Sequence, residues 1–157
     1  MPNNCYHAKL ATQFSVLGIR TEEDWLVGID YLPLDTPSLA PQNTLAKEVC
    51  RQLQEYLADP CFEFDLSLHI EGTPYQKRVW QSIQAIPGGK TSSYANIASN
   101  LHSSPRAVGR ACGANRIPIV IPCHRVIAKN GRLGGFMNAT DGFPLTIKRW
   151  LLHHEGA

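Results

Sequence analysis

The sequence predicts an α/β protein in which a small N-terminal lobe of sheet and helix packs on a mainly helical C-terminal lobe with a helix-turn-helix. Three observations predict this class: short apolar runs early in the chain, helical periodicity after residue 73, and a charge that changes sign between the halves. We expect residues 1–72 to be a scaffold lobe, because they show no chemistry. Residues 73–157 are expected to carry the function.

Residues 1–72 predict strands and one helix. Apolar runs at residues 14–19 and 25–29, separated by the polar turn 20–24, predict a β-hairpin. After a proline-rich loop, apolar residues at every fourth position predict a helix that ends at Asp59-Pro60: Leu45, Val49, Leu53 and Leu57. Residues 62–70 alternate between apolar and polar, which predicts a strand with one buried face.

Residues 73–157 predict helices. Thr73-Pro74-Tyr75-Gln76 has the form of a capping box with proline at the first helical position, and begins a helix that ends before Pro87. A second helix is predicted from about Ser92 to Leu101 and a third from Ser104 to about Ala114. Only two residues separate these helices, which predicts a helix-turn-helix. The closing helix is expected to have this inner face: Ile147, Trp150, Leu151 and His154.

The charge is unevenly distributed. Residues 1–73 carry four basic and eleven acidic side chains, a net charge of −7, whereas residues 74–157 carry eleven basic and two acidic ones, a net charge of +9. The basic half is expected either to bind a polyanion, most commonly nucleic acid, or to present solvated lysines and arginines.

The cysteines indicate the compartment. They are odd in number and scattered, without a Cys-x-x-Cys pair: Cys5, Cys50, Cys61, Cys112 and Cys123. This usage predicts reduced thiols in an intracellular protein. Without a secretory signal or an apolar run long enough for a membrane, we expect a cytoplasmic protein with no membrane contact. We also expect a monomer that holds no metal. A zinc site built from Cys5, His7 and a distant ligand stays open as an alternative.

The third predicted helix has an unusual surface. Arg106 and Arg110 lie one turn apart on the same side, and most of the other positions are small: Ala107, Gly109, Ala111, Gly113 and Ala114. Such a helix can pack tightly on another helix, or it can approach DNA closely. Because long base-reading side chains are absent from its middle, the second interpretation favours recognition of shape and backbone, including the minor groove.

The candidate nucleophile is Cys123. The apolar run at residues 117–122 predicts a buried strand or extended segment that places Cys123 at the bottom of a cleft. A lone buried cysteine is usually inert, but His124 and Arg125 offer positive charge that favours the thiolate. Adjacent residues of an extended chain point to opposite faces, so a bridging water is the expected proton path from sulfur to His124. Glu155 is placed to accept from the second nitrogen of His124.

Residues 122–126, Pro-Cys-His-Arg-Val, resemble the active-site signature of the alkylguanine-DNA alkyltransferases. The resemblance is weak before residue 60 but spans most of residues 62–156 in separated blocks: Gly72–Gln76, Val79-Trp80, Ile86–Gly89, Thr91–Ala98, Arg106–Gly109, Asn115, Ile117–Ile119 and Lys148–Gly156.

The resemblance implies a role for each matching residue. Cys123 accepts the alkyl group, His124 takes the thiol proton through water, and Glu155 orients His124. Asn115 braces the active-site turn, and Tyr94 hydrogen-bonds N3 of the flipped guanine. The pocket residues implied are Arg125, Val126, Phe136 and Met137, and the DNA-binding residues are Thr91, Ser92, Ser93, Arg106, Ala107 and Arg110, with Arg106 intruding where the base left the duplex.

The resemblance implies a DNA-repair protein that flips O6-alkylguanine out of double-stranded DNA and transfers the alkyl group irreversibly to its own cysteine. O4-alkylthymine stays open as a second lesion. An unactivated alkyl carbon calls for a soft, charged nucleophile and for a proton donor to the leaving base. Because a thioether has no path for release, the reaction is expected to be single-turnover and to need no cofactor.

The chain departs from the family pattern after Phe136. The segment between Met137 and Pro144 is roughly five residues longer than the pattern. Met137 stands where a small residue is expected. It is expected either to line the pocket and favour methyl over benzyl groups, or to belong to a bulge in solvent.

Three other functions remain as alternatives at the level of sequence. They are a relative that binds damaged DNA without chemistry, a helix-turn-helix regulator, and a cysteine hydrolase that uses Cys123 and His124. Relatives that bind damaged DNA without chemistry lack the cysteine that stands here at position 123. Cysteine hydrolases usually take their histidine from a distant part of the sequence, not from the next residue.

Overall fold

A computed structural model describes residues 5–128 and 143–157. The chain forms two compact units, Met1–Ile70 and Glu71–Ala157. The first contains a three-stranded antiparallel sheet and one helix, and the second is mainly helical, so the predicted α/β class is confirmed. The predictions for Phe136 and Met137 lie outside the described residues.

The sheet of the first unit has the order β1-β2-β3, formed by Ala8–Ala11, Val16–Glu22 and Trp25–Leu32. The predicted hairpin is β2 and β3, but its strands are longer than predicted and its turn is reduced to Glu23 and Asp24. Glu23 has a φ of 52°, in the left-handed region that a tight hairpin turn requires. The sequence did not predict β1, because its four residues become a strand only by pairing with β2.

The predicted helix of the first unit is α1, Thr44–Ala58. Asn43 begins it, because its side chain accepts a hydrogen bond from the Ala46 amide at 2.8 Å. Val49 and Leu53 are buried as predicted, whereas Leu45 and Leu57 are only half-buried. Tyr56 is fully buried instead, so the inner face is rotated from the predicted one.

The strand predicted at residues 62–70 is wrong. The apolar positions are more buried than their neighbours, but only Leu68 bridges β3, at Leu26. The Gln52 side chain of α1 forms two hydrogen bonds with the backbone of Asp65. It accepts from the Asp65 amide at 2.9 Å and donates to the Asp65 carbonyl at 3.0 Å. A side chain therefore satisfies groups that a neighbouring strand would otherwise pair.

The second unit begins with α2, Pro74–Gln84. The predicted capping box is present, with Thr73 Oγ1 accepting from the Gln76 amide and Gln76 Oε1 accepting from the Thr73 amide. The Trp80 indole donates to the Ala111 carbonyl at 2.8 Å and ties α2 to a later helix.

The predicted helix-turn-helix consists of α3, Tyr94–Asn100, and α4, Pro105–Gly113, which pack together. The first of these helices begins two residues later than predicted, because Ser93 is its N-cap. Ser92 and Ser93 instead form β4, which pairs in parallel with β5, Val126-Ile127. This pairing joins the start of α3 to the segment that follows Cys123.

The closing helix is α5, Phe143–Glu155. Ile147 and Leu151 are buried as predicted, but Trp150 and His154 are only half-buried and stack on each other with ring centroids 4.9 Å apart. The buried face instead includes Lys148 and Glu155. Among the residues that the structure describes, no helix is long and apolar enough to cross a membrane.

Candidate active site

The segment before Cys123 is a buried turn, which corrects the predicted extended run. The Ile121 amide donates to the Ile117 carbonyl at 2.9 Å, so the backbone folds back on itself. Ile119 has a φ of 72°, a strained conformation for a β-branched residue. The side chains of these three isoleucines are buried, and their packing holds the turn.

Cys123 opens a short 3-10 helix, Cys123–Arg125, so the premise that its neighbours alternate along an extended chain is wrong. Cys123 is 4% exposed and His124 is fully buried. The predicted burial of the cysteine is therefore confirmed, but helical turning sets the direction of His124.

Asn115 holds the turn and the sulfur together. Its Nδ2 donates to the Ile121 carbonyl at 2.9 Å and to Sγ of Cys123 at 3.3 Å, while its Oδ1 accepts from the Ile117 amide at 2.9 Å. One side chain thus spans both ends of the turn and reaches the nucleophile.

His124, Arg125 and Glu155 form a buried network. Nε2 of His124 lies 2.7 Å from Oε2 of Glu155, and Arg125 reaches the same carboxylate with Nε at 2.8 Å and Nη2 at 3.0 Å. Arg125 also donates to the Ile86 carbonyl at 2.7 Å. Its guanidinium is therefore paired with Glu155, a role that was not predicted. A signal existed, since residues 74–157 contain only two acidic side chains.

The network sets the protonation of His124. Burial lowers the pKa of His124, while the hydrogen bond with Glu155 opposes that shift. Because Glu155 is paired with Arg125, it is an ionised acceptor, and Nε2 of His124 carries the proton. Nδ1 is buried and has no hydrogen-bond partner among the described residues. This nitrogen is therefore available to accept a proton.

The resting form of Cys123 is the thiol. Hydrogen bonding by the Cys112 side chain and then burial raise the pKa of the Cys123 thiol well above its ordinary value, while Asn115 and Lys148 lower it. The positive charge was expected from His124 and Arg125, but burial lowers the pKa of His124 and Arg125 is paired with Glu155. The cation that acts on the sulfur is Lys148, and the thiol needs a base to become nucleophilic.

Lys148 was not singled out as a site residue, because a lysine on an amphipathic helix is usually exposed. Here it is fully buried. Its Nζ donates to the Val126 carbonyl at 2.7 Å and lies 3.5 Å from the Tyr94 hydroxyl. Tyr94, the first residue of α3, is thereby brought to the same cluster as Cys123.

The predicted DNA-binding residues lie on the helix-turn-helix and just before it. Arg106, Arg110 and Thr91 are exposed, and Ala107 is half-buried. Ser92 and Ser93 are also half-buried and use their hydroxyls within the chain, accepting from the side chain and the amide of Asn96 at 3.1 and 2.9 Å.

Gly109 of α4 faces open space in the described part of the chain. A Cβ built at Gly109 would meet no atom within 4 Å among the described residues. Helix packing inside this part of the chain therefore gives no reason for glycine here.

The alternative zinc site was predicted to include His7. Within residues 5–128 and 143–157 no group of three His, Cys, Asp or Glu side chains is placed to hold a metal. Nδ1 of His7, in the alternative zinc site, already lies 3.1 Å from the Thr21 hydroxyl and accepts from the Thr21 amide at 3.2 Å.

Comparison with protein families gives a match over the second unit. Residues 74–157 match the model described as "6-O-methylguanine DNA methyltransferase, DNA binding domain". A methylated-DNA--protein-cysteine methyltransferase of Methanosarcina acetivorans is 43% identical over 71% of this chain and 69% of its own length. The constitutive protein of that name from Bacillus subtilis is 40% identical over 86% of this chain and 79% of its own.

Solved structures extend the similarity to nearly the whole chain. Mycobacterium tuberculosis OGT in complex with DNA is 33% identical, with a TM-score of 0.79 over 94% of this chain and 91% of that one. A structure of the M. tuberculosis O6-methylguanine methyltransferase is 31% identical, with a TM-score of 0.78 over 97% and 93% of the two chains.

Proposed function

Because the chain belongs to the 6-O-methylguanine DNA methyltransferase family, we propose that it repairs DNA by transferring an alkyl group from O6 of guanine to Sγ of Cys123. The observation that carries this proposal is the buried arrangement of a thiol, a neutral histidine with an available Nδ1, and an ionised carboxylate on the opposite nitrogen. Relatives named methylated-DNA--protein-cysteine methyltransferases support the reaction class.

The first step in the proposed reaction makes the nucleophile. The Cys123 thiol gives its proton, through one water, to Nδ1 of His124. The resulting imidazolium is stabilised by Glu155, whose Oε2 lies 2.7 Å from Nε2. The Asn115 amide at 3.3 Å from Sγ stabilises the thiolate.

The second step transfers the alkyl group. Sγ bonds to the alkyl carbon, the carbon–O6 bond breaks, and its electron pair moves into the guanine ring. Tyr94 donates its proton to ring N3, so that guanine leaves as a neutral base. The thioether on Cys123 has no leaving path, and each protein molecule therefore acts once.

The surface of α4 supports recognition of duplex DNA. A target base inside the stack has to be flipped out before a buried sulfur can reach it. In the proposal, the small residues around Gly109 let α4 approach the DNA backbone, and the exposed Arg106 fills the gap that the base leaves. The M. tuberculosis relative solved in complex with DNA supports the choice of partner.

Transfer of radiolabelled methyl from O6-methylguanine DNA tests this function. Label is expected on the peptide that contains Cys123, with a stoichiometry no greater than one per chain. Cys123→Ala is expected to bind the DNA without accepting label, and Cys61→Ser, a change at an exposed thiol, is the matched control. Label that stays on the DNA would indicate a binder or regulator, and repeated turnover would contradict the single-use acceptor.

A further inference from the structure

Cys112 is a thiol that the proposed reaction does not use. It lies near the end of α4 and is half-buried, whereas Cys123 is 4% exposed. Both cysteines are free thiols. A cysteine at such a position ordinarily packs as a small apolar residue and has no chemical role. The contacts of Cys112 favour a different interpretation.

The Cys112 side chain reaches the acceptor sulfur, because it forms a hydrogen bond with the Cys123 thiol. Asn115 ties the same two residues together. Its backbone amide donates to the Cys112 carbonyl at 3.2 Å, and its Nδ2 donates to Sγ of Cys123 at 3.3 Å. One residue therefore joins the end of α4 to the 3-10 helix, and it holds the two thiols in contact.

Two other side chains place both sulfurs in one cluster. Burial raises the pKa of Tyr94, and Cys112 and Cys123 both add to that shift. Burial lowers the pKa of Lys148 to about 8, and the same two cysteines oppose that shift. Charges act on a neighbour's pKa in this way over short distances. A chemical change at Cys112 therefore takes place inside the active site.

An oxidant meets Cys112 before it meets Cys123. Solvent reaches the half-buried Cys112. Hydrogen bonding by Cys112 and then burial raise the pKa of Cys123, so the acceptor rests as a thiol, the form that peroxides attack slowly. Nδ1 of His124 is available to take the Cys123 proton once an electrophilic sulfur lies beside it.

We propose that Cys112 is an oxidation site, and that its oxidation by a hydroperoxide leads to a reversible disulfide with Cys123. Formation of this disulfide does not depend on alkyl transfer, but its effect on transfer rests on the proposed function. An acceptor that works once is lost if its sulfur is oxidised to the sulfinic acid, whereas a disulfide is restored by a dithiol. The cross-link thus blocks Cys123 and preserves it.

The atoms and electrons balance. The Cys112 sulfur takes one oxygen atom from hydrogen peroxide, which gives a sulfenic acid and water. Sγ of Cys123 then bonds to that sulfur and the sulfur–oxygen bond breaks. The hydroxyl group leaves as water with the Cys123 proton, which passes through His124. Two thiols have been oxidised and one peroxide reduced, and dithiothreitol reverses the change by becoming a disulfide itself.

Mass spectrometry under non-reducing conditions tests the cross-link. Wild type, Cys112→Ser and Cys61→Ser are treated with hydrogen peroxide, and Cys61→Ser is the matched control at an exposed thiol. Wild type and Cys61→Ser are expected to lose two hydrogen atoms and to yield one linked pair of peptides, containing Cys112 and Cys123. Cys112→Ser is expected to yield no such pair.

Benzyl transfer from free benzylguanine gives the functional readout, with each rate expressed relative to the untreated protein of the same variant. The fraction of wild-type transfer lost is expected to equal the fraction of chains cross-linked, and dithiothreitol is expected to restore it. Cys112→Ser is expected to lose transfer more slowly, and what it loses is expected to stay lost after dithiothreitol. Equal sensitivity of the two proteins, or a wild-type loss that dithiothreitol does not reverse, would overturn the proposal.

Cys123→Ala provides a second test that needs no transfer and no change at Cys112. After treatment with peroxide and dimedone, which traps sulfenic acids, this variant is expected to carry one dimedone on Cys112, whereas wild type carries the disulfide. An unlabelled Cys112 would overturn the oxidation site. Wild-type protein that forms the cross-link but transfers no benzyl or methyl group before oxidation would overturn the proposed function and leave the oxidation site standing.

Discussion

Nε2 of His124 lies 2.7 Å from Oε2 of Glu155, and both side chains are fully buried. The same carboxylate binds the Arg125 guanidinium through both oxygens. Glu155 therefore orients a base and compensates a buried cation at once, which makes the last turn of α5 part of both the site and the core.

Replacing Glu155 with alanine is expected to reduce stability and transfer together. Arg125 would remain buried without its counter-ion, a change that typically costs about 3–5 kcal/mol. Chemical denaturation measures this loss, and benzylguanine transfer by the folded fraction measures the loss of orientation at His124. Glu48→Ala removes the carboxylate of an exposed pair with Arg51 at 2.7 Å and is expected to change stability little. Equal effects of the two changes would contradict the buried network.

The pH dependence of transfer is expected to show a base that stays neutral in mild acid. Burial lowers the pKa of His124, so Nδ1 keeps its capacity to accept a proton below the ordinary histidine value of about 6.5. The rate with benzylguanine should therefore persist as pH falls through that value and should decrease only when His124 itself becomes protonated. A rate that is already halved at the ordinary value would show that burial does not control this base.

Substitution at Gly109 is expected to separate DNA repair from chemistry. A Cβ at Gly109 meets no atom of the described residues within 4 Å, so Gly109→Gln should leave folding and free benzylguanine transfer intact, while its long side chain on α4 obstructs DNA. Gly109→Ala is the matched control, expected to stabilise the helix by roughly 0.5–1 kcal/mol. The measurement is the rate of transfer from duplex DNA divided by the rate from free benzylguanine. An unchanged ratio in the Gln variant would show that DNA does not bind against this part of α4.

Arg106→Ala is expected to slow transfer from duplex DNA far more than transfer from free benzylguanine, because only the duplex requires a base to be extruded. Because Arg106 is exposed at the start of α4, its replacement is expected to leave folding intact. Single-turnover rates with the two substrates provide the comparison. Equal losses on both would remove the wedge role from this residue.

The prediction for Met137 rests on the sequence alone. If its thioether lines the pocket, Met137→Ser should selectively speed transfer of benzyl over methyl from alkylguanine DNA. Unchanged relative rates would leave only the bulge in solvent.

The sequence by itself determined the features that depend on neighbours along the chain. Thr73 and Gln76 are three residues apart, and their reciprocal caps form as soon as the first turn of α2 does. The β2–β3 hairpin and the two helices around His102 follow from equally local patterns. The motif around Cys123 was also sufficient to identify the family.

Only the tertiary structure decided which side chains meet. The periodicity of α5 favoured Trp150 and His154 on the inner face, yet Lys148 and Glu155 are buried there, because Val126 and Arg125 provide the partners that their charges need. Likewise, the Gln52 side chain forms the hydrogen bonds with the Asp65 backbone that a neighbouring strand would otherwise form. A pattern of apolar residues indicates which positions are buried on average. A buried polar group, by contrast, needs a specific hydrogen-bond partner, and only the fold brings that partner within reach.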